Sequence, residues 1–195
     1  MGRLIAGFLE QRGFGVGKKL EDCDAVIISV PIGATAQVIR ETAPKMKKGS
    51  LLIEICSLKS HLRDALEFAK WFDIEILSLH PMFGPGAELD GQNMIFIPVK
   101  GGTKTEKAKR FLGEAGFNLT ESTIEEHDRK TAVTQALLHF FILKLSEMAD
   151  EHFTTPNFRR MAKTQSEHPS LVEPLIFENP FFGETLEKFR IRLNQ

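Results

Sequence analysis

A chain of 195 residues with 42% hydrophobic side chains has room for one domain of ordinary size, or for one domain with a helical extension that cannot stand alone. Its 25 basic side chains are balanced by 26 acidic ones, leaving no positive excess to draw nucleic acid or anionic lipid. The longest apolar runs, AVIISV and LLIEI, fall far below the roughly 18 residues of a membrane span, and no signal-peptide pattern opens the chain, so a cytoplasmic protein without nucleic-acid or membrane partners is expected.

In chain order, Leu4, Ile5, Phe8 and Leu9 have the spacing of one helix face, so a helix begins almost at residue 1 and stops at Gly13. GFGV, from Gly13, reads as a short strand, and DAVIISV (24–30) and SLLIEIC (50–56) as strands rich in branched residues, with ATAQVIRETAPKM as a short helix between the last two. HLRDALEFAKW is a helix, DIEILSLH and NMIFIPVK are strands, and TEKAKRFLGEAG is a helix ending at glycine. Strands alternating with helices imply an α/β fold, a Rossmann-like, doubly wound parallel sheet over residues 1–122. From residue 123 the alternation stops, and residues 123–195 read as helices broken by TTPN, HPS and ENPFFG, an all-α second domain. That segment holds 8 of the 16 phenylalanines, more apolar mass than it can cover, so it is expected to be the surface of a homodimer. Cys23 and Cys56 have no partners at metal-ligand spacing and are read as buried thiols in a reducing compartment; no metal is expected.

A Rossmann unit opens with a strand and the turn G-x-G-x-x-G, whose backbone amides meet a pyrophosphate at a helix N-terminus. This chain starts where the third glycine of that turn would fall, so the first strand is expected to be absent, and Gly2 followed by Arg3 is what remains of the turn; a plain capping glycine is the alternative. No acidic residue follows GFGV at the distance that would hold an adenosine ribose. Ligands of open parallel sheets lie at the C-terminal strand ends, where SVPIGATAQVI leaves Val30 and Pro31, EICSLKS leaves Ser57 and Lys59, and LSLHPMFGP leaves His80 and Pro81. Each alone is equally a strand-terminating turn. Together, Pro31, Ser57 and His80 on three successive strands favour a site.

SVPIGATAQVI, EICSLKSHL, LHPMFGPGA, EEHDRKTAVTQALLHFF and RRMAKTQSEHP occur in the order and approximate spacing of the prephenate dehydrogenases of tyrosine biosynthesis, which the chain resembles from Gly2 onward. H-P-M-F-G-P is the most specific piece. The resemblance implies an N-terminal Rossmann domain binding NAD or NADP and a C-terminal helical domain that forms a homodimer and closes the substrate pocket. It further implies that prephenate passes hydride from its ring carbinol to the nicotinamide and loses its ring carboxylate as carbon dioxide, giving 4-hydroxyphenylpyruvate. Arogenate, the amino-acid analogue, is the alternative substrate, and a non-catalytic domain binding an aromatic ligand is the alternative of another class.

Residue by residue, the resemblance makes His80 the catalytic histidine, accepting the hydroxyl proton as hydride leaves the same carbon. Ser57 matches a serine that hydrogen-bonds that hydroxyl and the histidine. Pro81 and the Gly84-Pro85-Gly86 turn would fix the imidazole relative to the nicotinamide, and Gly2, Arg3, Val30, Pro31, Ser57 and Pro81 form the expected cofactor side. Asp128, Ala132, Gln135 and His139 fall at i, i+4, i+7 and i+11, one polar stripe in an otherwise apolar helix. His139 matches the family's substrate-side histidine, with Gln135 on the same stripe; His127 is read as a first-turn or hinge residue. Prephenate is a dianion and needs a fixed cation, best an arginine fork. Of Arg159 and Arg160, the family pattern aligns on Arg160, whereas Lys59 and Lys163 read as surface charges.

Overall fold

The computed structural model describes residues 1–17, 19–84 and 86–195. It divides into two compact units, Met1–Ser57 with His61–Thr123, and Leu58–Ser60 with Ile124–Gln195. The first contains α1 (Gly2–Glu10), β1 (Ala25–Ile28), α2 (Ile32–Thr42), β2 (Ser50–Glu54), α3 (Arg63–Ala69), β3 (Ile74–Pro81), β4 (Asn93–Lys100), α4 (Thr103–Glu114) and β5 (Asn118–Glu121).

The five strands lie in sequence order, β1-β2-β3-β4-β5, in a mostly parallel, Rossmann-like sheet. β1, β2 and β3 run parallel, each pair joined through a helix, whereas β4 runs antiparallel to β3. The physical reason is the link: none of the described residues between 82 and 92 is helical, and a parallel return needs a crossover of about a dozen residues or more, usually helical. α4 then restores a parallel pairing between β4 and β5. GFGV is corrected, since no strand forms among the described residues between α1 and β1. Gly13 adopts φ +82°, the left-handed conformation that ends a helix, and Phe14 N donates back to Leu9 O at 3.1 Å, so these residues close α1 instead of entering the sheet.

Alternation along the strands covers both sheet faces. Leu51, Ile53, Leu77, Leu79, Met94 and Phe96 form one buried cluster with Phe8 of α1 and Leu112 of α4. The intervening Leu52 and Ile76 are fully buried on the opposite side. The amino end of α4 has no cap of its own, because Gly102 stands at the N-cap position. Glu75 of β3 takes that role, accepting from Lys104 N (3.0 Å), Thr105 N (2.6 Å) and Thr105 Oγ1 (2.8 Å). The carboxylate approaches so closely that a Cβ on residue 102 would stand 2.5 Å from Glu75 Oε1. Burial pushes the Glu75 carboxyl up, and these bonds more than reverse it, leaving its pKa lowered. Glu75→Ala is expected to cost about 1–2 kcal/mol, the range for a lost helix cap, measured by urea unfolding.

The second unit contains α5 (Ile124–Thr131), a π-helical segment (Ala132–Leu137), α6 (Leu138–Met148), α7 (Pro156–Glu167), α8 (Pro169–Phe177) and α9 (Phe182–Leu193). α7 starts where Thr155 Oγ1 accepts from Phe158 N at 3.2 Å and Pro156 takes the first turn. Phe140 contacts Phe141 and Phe182, with ring centroids 5.9 and 5.3 Å apart, and Phe141 meets Phe189 at 4.9 Å. Leu138, Leu145, Met148, Phe153 and Phe177 remain exposed. No helix among the described residues is long and apolar enough to cross a membrane.

Candidate active site

At the carboxyl edge of the first unit's sheet, Ile28, Glu54 and Ser78 stand side by side in register across β1, β2 and β3. Val30 and Pro31 follow the end of β1, Ser57 follows that of β2, and His80 with Pro81 are the last residues of β3, so all stand at neighbouring strand ends. Ile55 N still donates to Ile28 O at 3.2 Å, and the buried Glu54 carboxylate accepts from Cys56 N at 2.7 Å, which fixes the turn just before Ser57. Ser57 itself is half-buried. His80 is 3% exposed and pairs with Ile95 of β4, so its backbone is set by the sheet. Of the turn after it, Pro85 lies outside the described residues.

Gly2 and Arg3 open α1 at the same edge. A Cβ built on Gly2 would stand 3.2 Å from Ser29 Oγ and 3.3 Å from Ser29 Cβ, so the helix start approaches the strand exit more closely than most side chains permit. Glycines in nucleotide-binding turns allow an approach of this kind between helix and strand. The residues at this edge therefore fit a dinucleotide: an open helix N-terminus, small and apolar groups at Gly2, Val30 and Pro31, and a polar pair at Ser57 and His80.

In the second unit, His139 is half-buried on α6, and its Nδ1 lies 2.7 Å from Gln165 Nε2 of α7. Burial lowers its pKa, so the imidazole is neutral near pH 7. Gln135 lies one turn earlier within the π-helical segment, half-buried. That segment was not foreseen; its wider turn changes the registration of the stripe that a uniform helix would give Asp128, Gln135 and His139, and π-helical turns recur at functional sites. Arg160 is exposed, its Nη2 donating to Asn157 Oδ1 at 2.7 Å, and lies roughly 140° around α7 from the buried Gln165. The structure thus brings His139 to Gln165 and does not bring Arg160 to either. Arg159 is likewise exposed, bonded to Thr154 O at 2.7 Å.

Sequence reasoning missed Asp128 as an anchor. Its fully buried carboxylate accepts from Lys59 N (3.0 Å to Oδ1), Ser60 N (2.6 Å to Oδ2) and His127 Nδ1 (2.7 Å), while Asn179 Nδ2 donates to the Asp128 carbonyl at 3.0 Å. Burial pushes this carboxyl up, but the bonds from His127 and Ser60 outweigh it and lower its pKa. His127, in the first turn of α5, is a buried partner of Asp128, and Lys59, read as a surface charge, has no exposed surface. Lys163 is exposed and pairs with Glu167.

Residues 11–119 match the family described as "Prephenate dehydrogenase, nucleotide-binding domain". The chain belongs to the prephenate dehydrogenase family. The probable arogenate/prephenate dehydrogenase of Methanocaldococcus jannaschii is 28% identical over 233 residues, covering 100% of this chain and 51% of that protein. The T-protein of Enterobacter agglomerans is 35% identical over 125 residues, 62% of this chain and 32% of that one. This family member thus spans about half the length, or less, of these two curated relatives. Among solved structures, prephenate dehydrogenase from A. aeolicus, in complex with hydroxyphenyl propionate and NAD+, superposes with a TM-score of 0.72 at 20% identity, covering all of this chain and 77% of that one. Synechocystis arogenate dehydrogenase gives a TM-score of 0.70 at 16% identity, likewise covering all of this chain and 79% of that one. These likenesses establish the shared fold.

Proposed function

We propose that this prephenate dehydrogenase family member carries out the oxidative decarboxylation of prephenate to 4-hydroxyphenylpyruvate with NAD or NADP. The observation that carries the reading is the placement of His80, Ser57 and Pro31 at one carboxyl edge, with Gly2 closing α1 onto Ser29 beside them. The bound dinucleotide supplies a hydride acceptor at its nicotinamide, and Gly2, Arg3, Val30, Pro31, Ser57 and Pro81 hold it. His80 Nε2 or Nδ1 takes the proton of the substrate hydroxyl while hydride departs from the same carbon. Ser57 donates to or accepts from that hydroxyl and orients it, since an aliphatic hydroxyl cannot serve as the base near neutral pH. Carbon dioxide leaves from the ring carboxylate, and the electrons of that bond restore the aromatic ring.

His139, kept neutral by burial, supplies a hydrogen bond to the substrate without adding a charge, with Gln165 setting its ring and Gln135, one turn earlier, as a second polar contact to the substrate. Arg160 pairs with a substrate carboxylate, exchanging its contact with Asn157 for the stronger charged one. Arg160→Ala is expected to raise KM strongly and lower turnover less, a loss of about 2–5 kcal/mol in kcat/KM, because the contact exists before and during hydride transfer. An unchanged KM, with Arg159→Ala damaging instead, would assign the anchor to the neighbouring arginine.

The protein acts as a homodimer in the cytoplasm. Leu138, Leu145, Met148 and Phe177 of the helical unit are exposed together with Phe153, an apolar surface of the kind a partner covers. Sedimentation at micromolar concentration should show a dimer; a stable monomer would refute this assembly. The nucleotide reading is tested by calorimetric titration with NAD and with NADP, each alone. Saturable binding of one or both is expected, and binding of neither would leave an aromatic-ligand module in place of a dehydrogenase.

A further inference from the structure

A cavity of about 90 Å³ lies within the first unit, under α1. Its walls come from Ile5 and Leu9 of α1 and from Ala108 and Phe111 of α4, over a floor of Ile53 and Leu79. α1 sits on the sheet with only Phe8 fully buried; its other inward side chains, Leu4, Ile5 and Leu9, face this space and are half-buried. The helix is therefore held away from the strands by a gap that its own side chains do not fill.

Every residue lining the cavity is apolar. A water molecule needs roughly 10–15 Å³ and two to four polar partners, so the space is large enough for water and offers it nothing to bond. Apolar cavities of this order, ~150 Å³ in the best-studied engineered case, stay dry and accept benzene. The aromatic wall favours a ring: Phe8 already meets Phe111 and Phe117 edge-on, with centroids 5.9 and 5.5 Å away and interplanar angles of 63° and 64°. A flat guest can continue that edge-to-face array. A charged guest cannot enter, because no wall group could pair with it.

We propose that this cavity is a binding site for one small, neutral, apolar ring compound, which ties α1 to α4 when it is filled. The cavity meets the carboxyl edge of the sheet at Ile55 and Pro81, the latter on the cofactor side proposed above, while its filling is read by stability and amide exchange and does not depend on the reaction proposed there. Thermal unfolding of the full chain in benzene or toluene should show a Tm rise of roughly 3–6 °C as the ligand exceeds its dissociation constant about tenfold. Benzoate, of the same ring size but charged, should give none. Amide hydrogen exchange should slow in α1 with toluene present. Ala108→Leu, which fills the space from α4, should abolish the benzene shift; Leu4→Phe, which fills it from α1, serves if the first variant fails to fold. No shift with either hydrocarbon up to its solubility would overturn the site, as would an equal shift in the filled variants or slowed exchange confined to the helices after residue 123.

Discussion

His80→Asn should lower turnover by roughly 10²–10⁴ while leaving substrate binding close to that of the parent chain, the usual loss when a positioned general base is removed. Asparagine keeps approximate size and some hydrogen bonding but cannot accept a full proton. The parent chain should also lose activity on acidification, because a protonated imidazole has no acceptor left. That acid limb should vanish in the variant. If His80 only terminated β3, the variant would instead lose thermal stability and substrate binding together and keep the parent's pH profile. Near-normal turnover with an unchanged acid limb would pass the role of base to His139.

The largest effect on stability is expected at Asp128. Asp128→Ala removes the charged acceptor that Lys59 N, Ser60 N and His127 Nδ1 share. Breaking such a buried charged arrangement costs about 3–5 kcal/mol, a Tm loss of roughly 6–20 °C for a chain of this size. Glu173→Gln, an exposed change on α8, should stay within about 0.5 kcal/mol. The lowered pKa of Asp128 fixes the sign of the pH dependence. Its carboxyl is more acidic folded than unfolded, so its contribution is present in full above the unfolded value, about 3.9, and is lost as pH falls through the folded one. Asp128→Asn should therefore flatten the parent's acid limb of stability below about pH 4; a limb of unchanged depth would place the acid sensitivity elsewhere.

Much of the fold was legible because its strands are short runs of branched residues. SLLIE and IEILSL bury nearly every side chain, so their composition alone marks them as central strands. β5 was missed for the opposite reason: NLTE is four residues long, largely exposed, and has no apolar run to betray it. The direction of β4 was available in principle, since residues 82–92 show no helical period and cannot carry a parallel crossover. The histidine at the mouth of β3 stood out because proline follows it and stiffens the exit. Asp128 did not, because the backbone amides that donate to its carboxylate lie 68 and 69 residues away, contacts that leave no trace in side-chain pattern. Lys59 was misjudged by the same limit: a lysine in a polar stretch reads as solvated until the surrounding chain is in place. The π-helical turn at Ala132–Leu137 was not legible, since nothing in AVTQAL distinguishes it from an ordinary helix.

The central claim is hydride transfer at the carboxyl edge of the sheet, and the direct measurement is turnover of the full chain with prephenate plus NAD or NADP, following reduced nicotinamide and released carbon dioxide together, with arogenate in parallel. The account predicts equal amounts of the two products from prephenate, abolished together in His80→Asn. A chain that binds the dinucleotide yet reduces none of it with prephenate would contradict the account, and reduction with arogenate alone would move the substrate to the amino-acid analogue.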